Sequence, residues 1–343
     1  MQIVENVNLK KYNTFMLPSI AKFFCEIKSA WDLNQLRNLP EFQWDKVYFL
    51  GQWANTIFVN DFDWLVIKIS ITWKEIIAES DEDVLVKVWS GEIWEDFVLR
   101  CAEKKFVWME NLAYIPSSVW ATAVQNIWAY WVEAKDIIYQ IEWMNMQTWK
   151  IEILDRDDCT FWYRDSIFKW KLKDNFIITH VVYKLKKYKK WYQYNTQYAW
   201  ILEKIMELWF ELSDITPSDF VNVITEIRKS KLPDWKEIGT AWSFFKNPIV
   251  STQTRDSLQQ KYPELKWFQT PEWIKLSAWQ LIDISGFKWK WNWKVGTYSR
   301  HALVLINQWD ATGQDVVSFS TEIQEWVFQK FWVHLEPEVI LVE

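Results

Sequence analysis

The chain has 343 residues and a formal charge of −6, from 39 basic and 45 acidic side chains. This length excludes a single small module and allows two or three domains with separate cores. The negative charge argues against a general nucleic-acid-binding protein. No uninterrupted run of about 18 apolar residues is present, so the sequence predicts no membrane-spanning helix.

The N-terminal sequence and the cysteines predict a cytoplasmic protein. The opening sequence, MQIVENVNLKKYNTF, has no apolar core and no small-residue cleavage site, so no secretory signal is expected. Cys25, Cys101 and Cys159 are too widely spaced for a disulfide framework or a paired metal motif, and we expect reduced, buried thiols. The histidines share no ligand spacing, so no metal site is expected.

Short runs of β-branched and aromatic residues dominate the first half of the chain and predict strands. The predicted strands are Lys46 to Leu50, Trp64 to Ile69, Val84 to Val88, Ile137 to Glu142, Ile151 to Leu154 and Phe176 to Leu185. The basic run Lys184 to Lys190 is interpreted as a solvated strand end and loop, because isolated charge runs usually face water.

Two capping signals predict helices in the second half. Thr216 to Asp219 is a capping box with proline at the first helical position, and an apolar stripe at helical spacing follows it: Phe220, Val223, Ile224 and Ile227. Thr312 to Asp315 opens a second such helix, with the stripe Val316, Ile323, Val327 and Phe331. A final strand is predicted from His334 to Val342. The mixture of elements predicts an α+β fold.

The composition is unusual in having 29 tryptophans and only six glycines. A globular chain of this length averages roughly two dozen glycines, because turns and helix ends need residues that adopt positive φ cheaply. Trp209 and Trp332 follow helical stretches directly, Trp309 opens a turn, and Trp128 and Trp131 bracket a tight loop. We therefore predict that most of these positions are glycine in the working protein, encoded by UGA. The alternative is a genuinely tryptophan-rich, carbohydrate-binding surface.

Two segments of small residues follow predicted strands and suit a bound pyrophosphate. With Trp53 read as glycine, Leu50 to Thr56 becomes LGQGANT, a turn whose backbone N–H groups can bind an anion. With its tryptophans read as glycine, Glu110 to Glu133 becomes ENLAYIPSSVGATAVQNIGAYGVE. Together these segments predict a dinucleotide held between two subdomains. The strand, turn and helix pattern of a Rossmann site is absent.

Five blocks of sequence resemble, in order, those of the UDP-N-acetylenolpyruvoylglucosamine reductase family. They are Glu110 to Glu133, FWYRDSIFK at Phe161 to Lys169, KLPD at Lys231 to Asp234, AWSFFKNP at Ala241 to Pro248, and LEPEV at Leu335 to Val339. The similarity runs from YNTF at Tyr12 to Phe15 through to the C-terminus.

Glycine stands in the family at the positions that these blocks fill with tryptophan. Trp94 is the exception, because VWSGEIW at Val88 to Trp94 resembles a family pattern with a true tryptophan. The chain departs from the family at Ser117, where glycine is usual, and at Met16 to Pro18, which replaces a glycine-rich entry.

The resemblance implies an enzyme of peptidoglycan synthesis, UDP-N-acetylmuramate dehydrogenase. FAD and NADPH would reduce UDP-N-acetylglucosamine-enolpyruvate to UDP-N-acetylmuramate, in support of cell-wall biogenesis, cell shape and cell division. The implied architecture is of the vanillyl-alcohol-oxidase type, with FAD-binding subdomains at 1–71 and 72–212, a substrate domain at 213–330, and a C-terminal strand at 331–343 that returns to the active site. We expect a cytoplasmic monomer. The alternative enzyme is another FAD-dependent oxidoreductase of the same superfamily.

The resemblance also implies three catalytic residues. Hydride addition to the enolpyruvyl double bond places negative charge beside its carboxylate, so the chemistry needs a cation there and a proton donor at the α-carbon. Arg164 matches the family's arginine and Ser243 its proton donor. Glu338 matches the glutamate that stabilises the enolic intermediate, with Glu336 as the alternative.

The remaining residues implied by the resemblance bind FAD and substrate. The FAD set is Gly51, Gln52, Trp53, Ala54, Asn55, Thr56, Pro116, Ser117, Ser118, Val119, Ala121, Thr122 and Asn126. For the substrate, Lys231 and Asn247 would hold the diphosphate and Tyr198 would close over it. Arg228 is a further substrate residue or a C-terminal partner of its own helix dipole, and Lys246 is a weaker candidate.

The codons test the glycine hypothesis directly. We expect UGA at nearly all the tryptophan positions other than Trp94, because the excess of tryptophan and the deficit of glycine have one common explanation in the reading of that codon. Sequencing the gene is the measurement. Finding UGG at the five positions where the resemblance requires glycine, which are 53, 120, 128, 131 and 242, would contradict the hypothesis.

Overall fold

The computed structural model describes residues 1–43, 46–51, 55–270 and 273–343. In chain order, the strands of this part of the chain are Ile3–Asn8 (β1), Ile20–Ile27 (β2), Val47–Leu50 (β3), Thr56–Phe58 (β4), Phe62–Ile69 (β5), Lys74–Glu79 (β6), Asp83–Trp89 (β7), Phe106–Val107 (β8), Trp128–Ala129 (β9), Val132–Glu133 (β10), Ile138–Asn145 (β11), Lys150–Asp155 (β12), Phe176–Lys187 (β13), Gly239–Ala241 (β14), Ile249–Val250 (β15), Trp267–Gln269 (β16), Ile274–Leu276 (β17), Val295–Tyr298 (β18), His301–Asn307 (β19) and Ile340–Val342 (β20). The α-helices are Ala30–Gln35 (α1), Trp94–Glu103 (α2), Val119–Gln125 (α3), Ala199–Glu207 (α4), Pro217–Lys231 (α5), Thr252–Lys261 (α6), Ala278–Ile282 (α7) and Gly313–Phe331 (α8).

The backbone packs into two units, each drawn from separate stretches of the chain. Unit 1 comprises Met1–Asn6, Lys22–Gln52 and Asp63–Ser230, and unit 2 comprises Val7–Ala21, Trp53–Phe62 and Lys231–Glu343. Because both units take in N-terminal residues, their limits follow packing rather than chain order. The four domain ranges given from the sequence remain predictions.

Among the described residues, unit 1 contains two large sheets and the two-stranded sheet β10-β9. The smaller of the two large sheets has the strand order β1-β2-β5-β3, and the larger has the order β12-β11-β13-β7-β6, with β8 also pairing with β13. The long strand β13 lies at the centre of the larger sheet, and most of its side chains are buried. The core beneath this sheet includes Val88, Trp94, Phe97, Tyr183 and Ile224.

Unit 2 contains two three-stranded sheets, with the orders β14-β19-β18 and β15-β17-β16, and the parallel pair β20-β4. The apolar side of α8 packs into its core, where Val316, Phe319 and Ile323 are fully buried. Gly313 begins this helix against the backbone of Phe58 and Val59, where a Cβ atom would collide with both. Small size is therefore required at that position.

The strands predicted in the first half are confirmed to within a few residues as β3, β5, β7, β11, β12 and β13. Both capping boxes are confirmed as well. Thr216 Oγ1 accepts from the Asp219 N–H at 3.2 Å, and Thr312 caps α8 reciprocally with Asp315. The apolar stripes predicted behind them are buried.

The prediction of a strand from His334 to Val342 is wrong for most of its length. Only Ile340–Val342 is a strand, because the segment before it is used for isolated contacts such as the bridge between Phe245 and Pro337. The basic run is confirmed as a strand end and loop. Lys186 pairs with Asp83 at 2.7 Å and Lys187 with Glu79 at 2.8 Å.

Among the described residues, seven of the seventeen non-glycine residues with positive φ are tryptophans. Trp209 (φ 61°) and Trp332 (φ 56°) stand at the helix ends where the sequence predicted a glycine conformation, and their exposed fractions are 93% and 77%. A residue with a Cβ pays roughly 1–2 kcal/mol in this conformation. At Trp309 the prediction is wrong, because the left-handed residue of that turn is Asp310 (φ 47°).

Trp94 has the opposite environment, that of a true core tryptophan. Its side chain is fully buried, its Nε1–H donates to the Leu112 carbonyl at 2.9 Å, and its ring packs against Phe97 and Tyr183 with centroids 5.8 and 5.6 Å away. A buried indole with a satisfied N–H stabilises a core. This buried environment distinguishes Trp94 from the exposed tryptophans, as the resemblance implied.

The thiols of Cys25, Cys101 and Cys159 are free and buried, as the sequence predicted. Burial raises the pKa of each of these thiols above its ordinary value. No helix among the described residues is long and apolar enough to cross a bilayer.

Candidate active site

The second small-residue segment forms the start of α3 in unit 1. Ser117 and Ser118 are buried, and the backbone N–H groups of Val119 and Trp120 donate to the Glu92 and Ser90 carbonyls at 2.9 and 2.8 Å. These two N–H groups are therefore used within the protein. The Oγ atom of Ser90 is buried and forms no hydrogen bond with any described residue.

Gly51 lies beside this helix start at the end of β3. A Cβ atom at Gly51 would collide with Ser118 Oγ, and the Cβ of Trp120 would be 3.6 Å away. Glycine therefore lets two backbone segments approach closely here. The Trp120 ring fills the adjoining space, stacked on Phe49 and Phe176 with centroids 6.3 and 5.3 Å away.

Among the other predicted FAD residues, several already have partners. Thr122 Oγ1 shares a 2.5 Å hydrogen bond with the Tyr183 hydroxyl. Asn126 has positive φ at the end of α3, and its Nδ2 donates to Glu133 and to the Trp162 carbonyl at 2.5 and 2.9 Å. These bonds tie the β9–β10 hairpin to the neighbouring loop. Pro116 is buried and Ala121 is half-buried in the same segment.

The first small-residue segment lies partly outside the described residues, because Gln52, Trp53 and Ala54 are not among them. Asn55, which follows them in unit 2, donates from Nδ2 to the Glu338 carbonyl at 2.8 Å. Its own carbonyl accepts from Ile340 at 2.8 Å, and Thr56 begins β4. Asn55 therefore fixes the C-terminal segment.

These features fit the phosphate part of a bound FAD. A close contact between Gly51 and Ser118, a buried row of small residues and an unsatisfied Ser90 hydroxyl suit a closely approaching pyrophosphate. The indole of Trp120 reduces the free space beside Gly51, as expected if that position is built for glycine.

Arg164 and Arg228 form a pair of cations in unit 1. Arg164 has a left-handed backbone (φ 57°) in the tight turn between Trp162 and Asp165, whose two backbone hydrogen bonds are each 3.1 Å long. Strained non-glycine residues cluster at functional sites. The Arg228 Nε donates to the Tyr114 carbonyl at 3.0 Å.

Burial lowers the pKa of Arg228 below its usual value, the anionic form of Tyr130 opposes this, and the charge of Arg164 lowers it further. Both arginines are half-buried, and two neighbouring cations that repel each other are stabilised by an anion. The arrangement therefore suits a carboxylate. The sequence predicted both arginines but gave no sign that they lie near each other.

Tyr198 packs in an aromatic cluster on the same unit. Its ring meets Tyr130 edge-on at 5.4 Å and lies 6.3 Å from Trp131 and 6.1 Å from Trp200. Burial raises the pKa of Tyr198 to about 12, so its hydroxyl is neutral and can donate a hydrogen bond at physiological pH.

Ser243 and Glu338 lie on neighbouring extended segments of unit 2. The Phe244 N–H donates to Leu303 at 3.2 Å, and the Phe244 carbonyl accepts from the Glu338 N–H at 2.8 Å. The backbone beside Ser243 is therefore held on both sides. The Ser243 side chain is half-buried, and its hydroxyl makes no hydrogen bond to any residue that the structure describes.

The structure distinguishes the two candidate glutamates. Glu338 is 8% exposed, whereas the Glu336 side chain is 73% exposed and pairs with Lys246 at 3.3 Å. Because the segment is irregular rather than a strand, residues two apart do not share an environment. Glu338 has the burial that a catalytic group needs. Lys246, the weaker substrate candidate, forms its ion pair with Glu336.

The predicted diphosphate residues lie in unit 2. The Asn247 side-chain oxygen accepts from the Ala278 N–H at 2.8 Å, which fixes the start of α7. Lys231 lies near His301, whose pKa is lowered to about 4 mainly by burial and then by the Lys231 charge. The Nδ1 atom of His301 has no partner among the described residues.

The sequence did not identify His301 or Lys275 as a candidate site residue. Lys275 lies on β17 and is 1% exposed, with its Nζ 5.2 Å from the Trp273 ring and 5.7 Å from the Phe268 ring. A lysine between two apolar residues in the short run IKL was the available signal. No feature of the sequence marked His301.

Two family models match the chain. The FAD binding domain matches residues 23–150, and the C-terminal domain of UDP-N-acetylenolpyruvoylglucosamine reductase matches residues 234–342. The first covers Gly51 and the start of α3, and the second covers Ser243, Asn247 and Glu338.

Curated relatives resemble the chain over its full length. The UDP-N-acetylenolpyruvoylglucosamine reductase of Flavobacterium johnsoniae is 40% identical over 343 residues and covers 100% of each chain. That of Neisseria gonorrhoeae is 37% identical over 332 residues, covering 96% of this chain and 95% of the relative. The crystal structure of the Thermus caldophilus reductase superposes with a TM-score of 0.69 at 19% identity and 100% coverage of both chains. That likeness concerns the fold alone, and it agrees with the predicted α+β class.

Proposed function

The chain belongs to the UDP-N-acetylenolpyruvoylglucosamine reductase family, and from this premise we propose which of its side chains perform the reaction. The enzyme is an FAD-dependent oxidoreductase of peptidoglycan synthesis that uses NADPH to reduce UDP-N-acetylglucosamine-enolpyruvate to UDP-N-acetylmuramate. When bound, FAD supplies the hydride chemistry, because it accepts a hydride from NADPH and passes it to the enolpyruvyl double bond.

Arg164 binds the carboxylate of the enolpyruvyl group. Its planar guanidinium offers two parallel N–H donors, the geometry that a carboxylate prefers. As negative charge develops on the α-carbon and carboxylate, the fixed cation stabilises the transition state more than the ground state. Arg228 adds a second positive charge from within the protein, and the mutual repulsion of the two cations in the free enzyme supports this assignment.

Ser243 donates the proton that completes the reduction at the α-carbon. Its hydroxyl is free of partners among the described residues, and the next residue, Phe244, is fixed by backbone hydrogen bonds to Leu303 and Glu338. A positioned proton donor needs both availability and a fixed approach. This observation carries the assignment. Glu338 stabilises the enolic intermediate, and its burial supports that role over Glu336.

Lys231 and Asn247 hold the diphosphate, and Tyr198 closes over it with a neutral hydroxyl. The FAD pyrophosphate is bound by the segments around Gly51 to Thr56 and Pro116 to Asn126, whose residues are mostly small. Both UDP-sugars and NADPH are cytoplasmic metabolites, so the enzyme acts in the cytoplasm, and it acts as a monomer.

Arg164→Lys tests the assignment of the carboxylate site. We expect kcat/KM for the enolpyruvyl substrate to fall about 100-fold, or ~2.7 kcal/mol, because an ammonium keeps the charge but loses the two-point grip on the carboxylate. Steady-state kinetics on the FAD-loaded enzyme is the measurement. Arg156→Lys is the matched control, since Arg156 is exposed and its ion pair is with its neighbour Asp157. Near-normal turnover by Arg164→Lys would remove Arg164 from this role.

A further inference from the structure

A cavity of about 560 Å³ lies within unit 1, and none of the residues assigned above to catalysis, cofactor or substrate lines it. Glu110 and Asn111 form its inner wall, and the segment from Tyr192 to Gln197 forms one side. The opposite side comes from β10 and the turn that contains Asp136. This volume suits a small organic ligand.

Glu110 at the inner wall has an incomplete set of hydrogen bonds. Its side chain is 2% exposed, and the second carboxylate oxygen accepts from the Trp108 N–H at 2.8 Å. The first oxygen, Oε1, accepts no hydrogen bond from the described residues. Burial raises the pKa of Glu110 to about 7, opposed by backbone N–H groups and by Tyr192. A buried carboxylate without a full set of donors is costly, so a donor is missing at this point.

Two further polar residues beside Glu110, Asn111 and Asp136, add acceptors to the wall. Both Asn111 amide hydrogens are used, because Nδ2 donates to the Tyr130 and Asn195 carbonyls at 3.3 and 3.0 Å. Asp136 adds a second carboxylate near the surface, where Oδ2 accepts from the Glu133 N–H at 2.9 Å. Among the described lining residues there is no lysine, arginine or histidine. With two carboxylates and no basic side chain in its described lining, the cavity favours a ligand that carries hydrogen-bond donors and positive charge.

A metal ion does not meet these requirements. The described part of the chain holds no group of three or more His, Cys, Asp or Glu side chains placed to bind one. A single buried carboxylate with a few carbonyl oxygens around a large cavity does not provide the compact oxygen shell that Ca²⁺ or Mg²⁺ needs.

We propose that this cavity binds an organic ammonium ion of the aliphatic diamine or polyamine class. One ammonium group donates to Glu110 Oε1 and the wall carbonyls, the second lies near Asp136, and the methylene chain contacts Val132 and Ile137. Glycine in place of Trp108 and Trp131 would widen the mouth and remove none of these acceptors.

The bound amine would also order the wall that leads to the proposed substrate contact. The segment from Tyr192 to Gln197 ends immediately before Tyr198, and Asn195 is tied to Asn111 at the inner wall. Occupation of the cavity adds contacts to this segment, so its backbone amides become better protected from exchange.

The test uses the matched ligands 1,4-diaminobutane and 1,4-butanediol, titrated into the purified full-length protein at constant ionic strength and followed by calorimetry. We expect the diamine to bind and the diol not to bind. Glu110→Gln should weaken the diamine about tenfold or more, because it removes one charge-assisted hydrogen bond. Hydrogen exchange should slow at residues 192–197 when the diamine is present.

Asp81→Asn is the matched control, because it removes one exposed carboxylate outside the cavity and so also takes one negative charge from the protein. It should leave the affinity unchanged. Asp136→Asn supplies a second variant in case Glu110→Gln does not fold, and it should weaken binding about threefold. The proposal is overturned if the wild-type protein gives no heat at millimolar diamine, if the diol binds equally, or if Asp81→Asn weakens binding as much as the cavity variants. None of these outcomes depends on the reductase reaction.

Discussion

Ser243→Ala is expected to slow reoxidation of the reduced flavin by the enolpyruvyl substrate by roughly 10²–10⁴-fold, the usual contribution of a positioned general acid. Reduction of the flavin by NADPH should stay nearly unchanged, because only the second half-reaction needs a proton at the α-carbon. Stopped-flow absorbance of the two half-reactions separates them. Overall turnover would then be limited by the second step.

The structure provides a strict control for this substitution. Ser318 lies exposed on α8 in the same unit, so Ser318→Ala removes a hydroxyl without touching the extended segments around Ser243. It should leave both half-reactions at wild-type rates. Equal losses in both half-reactions of Ser243→Ala would indicate instead that the side chain supports the local backbone.

Restoring glycine at positions 53, 120, 128 and 131 is expected to create an FAD-binding protein from one that does not bind FAD. Trp120 fills the space beside Gly51 and Ser118, and Trp131 is held at φ 66°. An indole in a loop that must present its backbone to a pyrophosphate occupies the place of the phosphate, and the positive φ adds strain. Flavin absorbance after purification measures the difference. The protein with the four tryptophans should be colourless and the protein with four glycines yellow.

Glycine at the helix ends provides the matched comparison. Trp209→Gly and Trp332→Gly relieve the left-handed conformation at two exposed sites, and each should stabilise the protein by roughly 1 kcal/mol without conferring FAD binding. This separates general rescue of folding from an effect at the loops. Trp94→Gly should destabilise strongly, because it leaves a cavity in the core. A yellow, stoichiometrically loaded protein that retains all four loop tryptophans would refute the assignment of these loops.

Much of the fold was predictable because its signals are local. The capping boxes at Thr216 and Thr312 depend on side chains three residues apart, and the apolar stripes that follow them depend on helical periodicity. The structure therefore confirms both predictions. The strand predicted from His334 to Val342 failed for the opposite reason. Its apolar and acidic residues satisfy partners on Phe244, Lys246 and Asn55, and no local pattern identifies such partners.

The candidate site divides in the same way. The sequence, through its ordered family blocks, determined the reaction class and the cofactor, and it predicted Arg164, Ser243 and Glu338 as the catalytic residues. It also determined, from composition alone, that the chain has too few glycines for its turns, because the need for positive φ is a property of single residues.

Only the tertiary structure decided which of those residues are physically suited to act. It separated buried Glu338 from exposed, ion-paired Glu336 and brought Arg228 near Arg164. It also revealed His301, and it left Glu110 without a full set of donors beside an acidic cavity. Burial, charge proximity and unsatisfied hydrogen bonds arise from contacts between residues far apart in the chain, so no spacing in the sequence encodes them.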